Sequence, residues 1–116
     1  MDQLPDPDLA SSDLKGRPFQ IKSAHLGDSV VIPVSGELDL KSASVVDAAI
    51  RDAERTDAGW IVVDLGEVSF VDSTGLSALL LGKNRSGDRL SCIPSRHEHV
   101  ARLLELTGAT EILDSG

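Results

Sequence analysis

The pattern of apolar and polar positions predicts strands early in the chain, in its middle and near its end. Residues 19–24 alternate apolar and polar side chains, as expected of a half-buried strand. Residues 29–34 are continuous and β-branched, and turn residues at 25–28 separate the two runs, which predicts an antiparallel pair. The short apolar run 60–65 is typical of a central strand with both faces covered, and residues 89–93 predict a fourth strand.

Helical spacing of apolar residues predicts two helices between these strands. The first begins at Asp39 or Ser42, either of which can cap it. Its apolar face comprises Val45, Val46, Ala49, Ile50 and Ala53. The second helix spans roughly residues 74–84, and one of its faces comprises Leu76, Leu79, Leu80 and Lys83.

A third helix is predicted after the fourth strand. Ser95 and Glu98 have the spacing of a capping box, with Ser95 as the cap. The buried face then comprises Val100, Leu103 and Leu104, and Gly108 is in place as the C-terminal stop. Residues 111–113 can add a short final strand.

The element order is ββαβαβα with an optional strand, which predicts an α/β fold. We expect a mixed sheet of four to five strands with three to four helices packed on it. A helix between the strands 29–34 and 60–65 makes those two strands parallel, so the loops after them lie at the same end of the sheet. Two carboxylates, Asp39 and Asp72, are therefore expected to flank Ser73.

Composition and charge narrow the classes of partner. The chain has 116 residues, which indicates one domain, and a net charge of -8, which disfavours nucleic acid and anionic membrane as partners. Cys92 is the single cysteine, so no intramolecular disulfide is expected. No apolar run approaches a membrane span, and the N-terminus lacks the pattern of a signal peptide, so we expect a cytoplasmic protein. A monomer or weak dimer is expected.

The domain is predicted to cover residues 19–116, preceded by an arm. Residues 1–18 are rich in aspartate and proline and poor in large apolar side chains. Such a segment buries too little apolar surface to offset the entropy of ordering. We therefore expect a disordered acidic N-terminal arm.

Candidate chemistry centres on Ser73, which lies where a helix is expected to begin. A helix start has unpaired N–H groups and a partial positive charge, which stabilise a hydroxyl or a phosphate. Ser73 is therefore either a simple helix cap or a modifiable hydroxyl, and Asp72 can instead be the cap. A serine hydrolase is the rival interpretation, but the chain has Val-Asp-Ser-Thr-Gly in place of Gly-x-Ser-x-Gly and no obvious histidine base. His97 and His99 are expected to be solvated, and no cofactor or metal site is predicted.

Two motifs, read together, resemble those of the STAS-domain family, and within it the single-domain anti-sigma-factor antagonists. One is the run 34–39, Val-Ser-Gly-Glu-Leu-Asp, and the other extends from Val62 to Leu76 around Asp72-Ser73-Thr74-Gly75. The resemblance covers nearly the whole chain from Phe19 onward. It implies an unphosphorylated form that binds an anti-sigma factor, itself a serine kinase, and so frees the sigma factor. It also implies phosphorylation at Ser73, which ends binding, and a PP2C-type phosphatase that reverses it.

The resemblance further implies a docking surface around the acceptor. We expect that surface to comprise Glu37, Asp39, Asp72, Ser73, Thr74, Gly75, Leu76 and Ser77. Gly75 either lets a partner backbone approach or relieves crowding at the helix start. Ser77 departs from many relatives, which have a second glycine at that position. Some family members act as unphosphorylated interaction scaffolds, which is the alternative function.

Overall fold

The computed structural model describes residues 18–114 and shows a five-stranded sheet with four α-helices in that part of the chain. The elements in chain order are β1 (Gln20–Ile21), β2 (Ala24–Leu26), β3 (Ser29–Leu38), α1 (Leu40–Glu54), β4 (Trp60–Val71), α2 (Ser73–Ser86), β5 (Leu90–Ile93), α3 (Glu98–Leu106) and α4 (Ala109–Asp114). The arm predicted for residues 1–18 lies outside the described residues except for Pro18.

The sheet is mixed, as the sequence predicts. β3 pairs antiparallel with β1 and β2 on one side and parallel with β4 on the other, and β4 pairs parallel with β5. The parallel pairs are joined through helices, because a parallel connection requires a crossover. The carboxyl ends of β3 and β4 therefore lie at one end of the sheet, where α1 and α2 begin.

The helices pack on one face of the sheet, which corrects the prediction that residues 60–65 are covered on both faces. Ile61, Val63 and Leu65 are fully buried and belong to the same cluster as the buried residues of α1 to α4. Val62 and Asp64 point to the other face and are half-buried. A continuous apolar run predicts a strand that is covered on both faces. Valine, however, suits a strand whether or not its face is covered.

Both central strands are longer than predicted. β3 continues beyond Val34 to Leu38, and β4 continues beyond Leu65 to Val71, where the sequence suggested a connector. The register between them shifts between Pro33 and Ser35, and again between Gly36 and Glu37. Pro33 cannot donate to the ladder, so the adjacent shift is the irregularity that its presence in a central strand requires.

The first predicted strand is interrupted. β1 ends at Ile21, and β2 begins at Ala24, with His25 opposite Val30. His25 is thus a strand residue, where the sequence suggested a turn. The turn itself is confined to Gly27 and Asp28, because Gly27 has a φ of 61° that an L-residue with a side chain rarely adopts.

Two predictions for the C-terminal third were wrong. Residues 111–113, an optional strand in the sequence analysis, belong to helix α4, because Ala109 and Leu113 lie four residues apart and are both buried. Helix α3 has His97 as its N-cap, with no capping bond from a side chain, in place of Ser95. The Ser95 hydroxyl is buried and donates to the Val68 carbonyl oxygen at 2.7 Å.

Candidate functional site

The loops after β3 and β4 lie side by side. Leu38 is paired with Val71 at the end of the parallel ladder, and the Asp72 amide donates to the Leu38 carbonyl oxygen at 3.1 Å. Each loop is a single residue, Asp39 or Asp72, before its helix begins. The prediction that both loops occupy the same end of the sheet is confirmed, and two helix N-termini meet there.

Asp39 caps α1 and forms a capping box with Ser42. Its Oδ1 accepts from the backbone amides of Lys41 at 3.0 Å and Ser42 at 3.3 Å. The Ser42 hydroxyl oxygen accepts from the Asp39 amide at 2.9 Å, and the hydroxyl contacts the Glu37 carbonyl oxygen at the same distance. Both residues that the sequence offered as caps therefore take part, and the Asp39 carboxylate is engaged by its own helix.

Asp72 caps α2. Its Oδ1 accepts from the amides of Thr74 and Gly75, both at 2.9 Å, and from the Thr74 hydroxyl at 2.5 Å. The hydrogen bond from the Thr74 hydroxyl, followed by that from the Gly75 amide, lowers the pKa of Asp72 below its usual 3.8. The Leu40 amide at the start of α1 acts in the same direction, so this carboxylate faces both helix starts.

Ser73 is the first residue of α2 and is exposed. Because Asp72 satisfies the amides of the first turn, the Ser73 hydroxyl is not needed as a cap. Of the two capping arrangements that the sequence allowed, the structure has the one with Asp72. The serine is thus presented to solvent at the positive end of a helix.

Gly75 is buried against the end of β3. A Cβ at this position would lie 2.7 Å from the Leu38 Cγ and still closer to the Leu38 carbonyl oxygen. The glycine therefore allows α2 to cross the end of β3. Relief of crowding within the fold, one of the two roles considered for this residue, is the role that the structure supports.

The other expected docking residues differ in exposure. Ser77 is exposed, and Glu37, Asp39, Asp72 and Thr74 are half-buried at the same end of the sheet. Leu76 is also half-buried, with its side chain packed against the core. Seven of the eight residues lie at or next to the two helix starts, and among them Gly75 offers no side chain and almost no surface. Glu37 lies in β3 between the buried Gly36 and Leu38, so its side chain points to the face of the sheet opposite to α1 and α2.

Three residues that follow β5 bind the last part of β4. The sequence did not predict these contacts. Besides the Ser95 bond to Val68, the His99 Nε2 lies 2.6 Å from the Ser69 carbonyl oxygen, and the Arg96 amide donates to the Gly66 carbonyl oxygen at 3.0 Å. These contacts replace a neighbouring strand beyond Asp64, where β5 has ended. They fix the strand that leads to Asp72, and only Pro94 signalled the irregular segment.

Two of the described histidines, His97 and His99, lie at the start of α3. His97 and His99 form an edge-to-face pair with ring centroids 6.0 Å apart, and no hydrogen bond joins either of them to Ser73. That same part of the chain contains no group of three or more histidine, cysteine or acidic residues arranged to hold a metal ion. It also has no helix of the length and apolarity needed to cross a bilayer.

Comparisons with known proteins agree with the fold and motifs. The family model described as "Mlab, STAS domain" matches residues 21–114. The anti-sigma-B factor antagonist of Listeria monocytogenes is 30% identical over 89 residues, which cover 75% of this chain and 78% of that protein. A crystal structure of an anti-sigma factor antagonist from Mycobacterium paratuberculosis is similar with a TM-score of 0.72 and 25% identity, covering 81% of each chain.

A second solved structure adds a relative with a described phosphorylation state. The anti-sigma factor antagonist SpoIIAA in its unphosphorylated form is similar with a TM-score of 0.60 and 25% identity, covering 81% of this chain and 84% of that one. The match to the family model covers most of the chain, and the alignment with the Listeria relative covers three quarters of the chain. The chain therefore belongs to the STAS-domain family, among the anti-sigma-factor antagonists.

Proposed function

We propose that the unphosphorylated protein binds an anti-sigma factor that is also a serine kinase, and so releases the sigma factor for transcription. Phosphorylation of Ser73 by that kinase ends the interaction, and a PP2C-type phosphatase restores it. The docking surface comprises the eight residues named around Ser73, and the acting unit is the domain of residues 19–116. Such a cycle operates in the cytoplasm, where sigma factors engage RNA polymerase.

The observation that carries this proposal is that Asp72 caps the helix while Ser73 stays exposed. Asp72 occupies the N-cap and binds the first amides of α2, while Ser73 is exposed beside it. A hydroxyl released from capping can be modified without removing a bond that holds the helix. The names of the relatives point in the same direction.

The same geometry supports a switch that acts on the surface and leaves the fold intact. A phosphate on Ser73 adds about 1.5 to 2 negative charges, and the partial positive charge of the helix start favours it by about 0.3–1 kcal/mol. Asp72 and Asp39 oppose it by like-charge repulsion. The modified hydroxyl holds no bond of the helix start, because Asp72 supplies the cap, so we expect the fold to be retained while the local potential becomes strongly negative. The kinase must bring the phosphates of ATP close to this hydroxyl, so added negative charge there repels its active site, and the unphosphorylated form is the one that binds.

The test combines a modification assay with binding. Each purified anti-sigma kinase of the same genome is incubated with the protein and ATP, and mass spectrometry locates any phosphate added. We expect the cognate kinase to add one phosphate, at Ser73. Ser73→Ala should bind that kinase like the wild type, and Ser73→Asp should bind at least about tenfold more weakly, because a charge in an interface is costly. Ser77→Ala, exposed on the same helix, is the control for modification at a neighbouring hydroxyl.

Three results would count against the switch. Modification at a residue other than Ser73 would remove the phosphoacceptor assignment. Equal binding by Ser73→Ala and Ser73→Asp would indicate a constitutive scaffold. Hydrolysis of a small ester that is lost in Ser73→Ala would instead indicate an enzyme.

A further inference from the structure

An apolar patch crosses the face of the sheet that lies opposite to the helices. Residues paired across neighbouring strands point to the same face, so the register of the pairs identifies its members. We call them the open-face patch, and in successive rows across the strands they are Leu26 and Trp60, then Ala24, Val31 and Val62, then Pro33 and Ile93. Trp60 is 52% exposed, and Leu26 and Ile93 are 62% and 45% exposed.

The strands beneath the patch are of the kind that is normally covered. β3, β4 and β5 run parallel, and parallel sheets are found almost only where both faces are buried. Among residues 18–114, the buried residues of all four helices belong to the cluster on the other face. A half-exposed tryptophan within an apolar patch is typical of an interface, where this residue type often contributes most to binding. The open-face patch is therefore a surface that gains from being covered.

The charges beside the patch fit a second copy of the chain. Lys22 and Arg96 line a depression in the same face together with Asp64 and Glu67. With Glu37, farther along β3, there are two cations against three carboxylates, a net charge of -1, whereas the whole chain has -8. Two acidic copies repel each other least where they meet through such a face. A partner surface of one sign would be repelled by about half of these groups, whereas a second copy offers both signs.

The size of the face fits a weak dimer. The sheet is four strands wide, or about 20 Å at a spacing of about 4.8 Å. The ten residues of β3 make the face about 33 Å long at about 3.3 Å per residue. A second copy would then cover roughly 600 Å² of each chain, somewhat less than the roughly 800 Å² per partner of a standard interface. A dissociation constant of about 10 µM to 1 mM is therefore expected.

Residues 1–17 of the same chain are the other candidate cover, and their composition disfavours them. They are rich in aspartate and have few large apolar side chains to pack against Trp60. Their carboxylates would also lie on a face that carries Asp64 and Glu67, and like charges that meet in an interface are costly.

We propose that the protein forms a symmetric dimer in which the open-face patch of one copy packs on the same patch of a second copy. The two sheets stack about 10 Å apart with their side chains interdigitated. Both helix layers then face outward, so the exposed Ser73 at the start of α2 stays accessible on each copy. The dimer involves this chain alone and does not depend on the proposed function.

The dependence of association on concentration tests the dimer with the full chain alone. Sedimentation velocity from about 1 µM to about 1 mM should show a monomer that converts to a dimer. Trp60 is the single tryptophan, so intrinsic fluorescence reports on this face only. As the concentration rises, its emission should move to shorter wavelength and acrylamide should quench it less, because the indole leaves water on association. Both optical changes should have the same midpoint as the sedimentation change.

Matched substitutions locate the contact. Leu26→Asp and Ile93→Lys put a charge into the open-face patch at exposed positions, so the thermal midpoint of the monomer should match the wild type. Leu106→Asp on α3 and Leu81→Lys on α2 introduce the same charges at leucines of the helix layer that are 79% and 57% exposed. The dissociation constant of the dimer should rise by at least about tenfold for the two patch variants. It should stay within about twofold for the two controls.

Three outcomes would overturn the dimer. A monomer at the highest concentration, with Trp60 emission unchanged, would leave the patch to a different protein. A dimer that persists in Leu26→Asp and Ile93→Lys would use another surface. A monomer whose Trp60 is shielded from acrylamide at every concentration would point to residues 1–17 of the same chain as the cover. Each of these outcomes leaves the proposed function standing, because that function is tested separately with the anti-sigma kinase.

Discussion

At the scale of single residues, the site depends on which side chains are already engaged. Asp39 and Asp72 use their carboxylates as helix caps, so each aspartate that the sequence placed beside Ser73 also holds the fold. The spacing showed that a cap was needed at each loop. It did not show which residue supplied the second cap, because serine and aspartate are about equally good at the N-cap. The close approach of Leu38 to Gly75 was likewise invisible in the sequence, since it joins residues 37 positions apart.

The capping role of Asp72 predicts a pH dependence of stability. Because its pKa in the folded state lies below 3.8, the contribution of this carboxylate is fully present above that value and is lost as the pH falls through the lowered pKa. Asp72→Asn should therefore reduce the free energy of unfolding at pH 7, and the difference from wild type should shrink as the pH falls below 3.8. Urea unfolding from pH 7 to pH 2.5 measures this, with Asp57→Asn as an exposed control outside any helix. A difference that stays constant with pH would contradict it.

At the scale of elements, local patterns identified most of the segments, and tertiary contacts determined where the segments end. The helical spacing found α1 and α2, because their buried residues repeat on one face. The sequence predicts that β4 ends at Leu65, because Gly66 favours a loop. The strand nevertheless continues, and its hydrogen-bond partners come from β3 and from residues after β5. Those partners lie far away in sequence, and no local pattern announces them.

Removing the contact between Ser95 and the end of β4 should loosen the structure locally. The Ser95 hydroxyl donates to the Val68 carbonyl oxygen and accepts from the His97 amide at 3.0 Å. Ser95→Ala should destabilise the protein by about 1–3 kcal/mol, because buried polar groups lose their partners. Hydrogen exchange should become faster at residues 95–99 than in α1, and Ser91→Ala, on the neighbouring strand, is the control. Uniform exchange changes in both variants would mean that the contact is not specific to this segment.

At the scale of the whole molecule, charge and topology act at the same place. The topology brings two helix starts and three acidic side chains to one end of the sheet, on a chain with a net charge of -8. The charge was evident in the sequence, and the common end followed from the parallel strands. An open groove between α1 and α2 was not predictable, because four of its eight lining residues are alanines and serines that only the packing of the two helices brings together.

An acidic docking end predicts association that depends on salt. Opposite charges steer the encounter of partners at low ionic strength, and the screening length falls from about 10 Å at 0.1 M salt to about 3 Å at 1 M. The association rate with the anti-sigma kinase, measured by stopped flow, should fall about tenfold or more over that range, with a smaller change in the dissociation rate. Glu37→Gln should reduce the salt dependence, whereas Glu105→Gln on α3 should leave it unchanged. If both variants behave like the wild type, the approach is not steered through the Ser73 end, and the charges that guide the partner lie elsewhere on the surface.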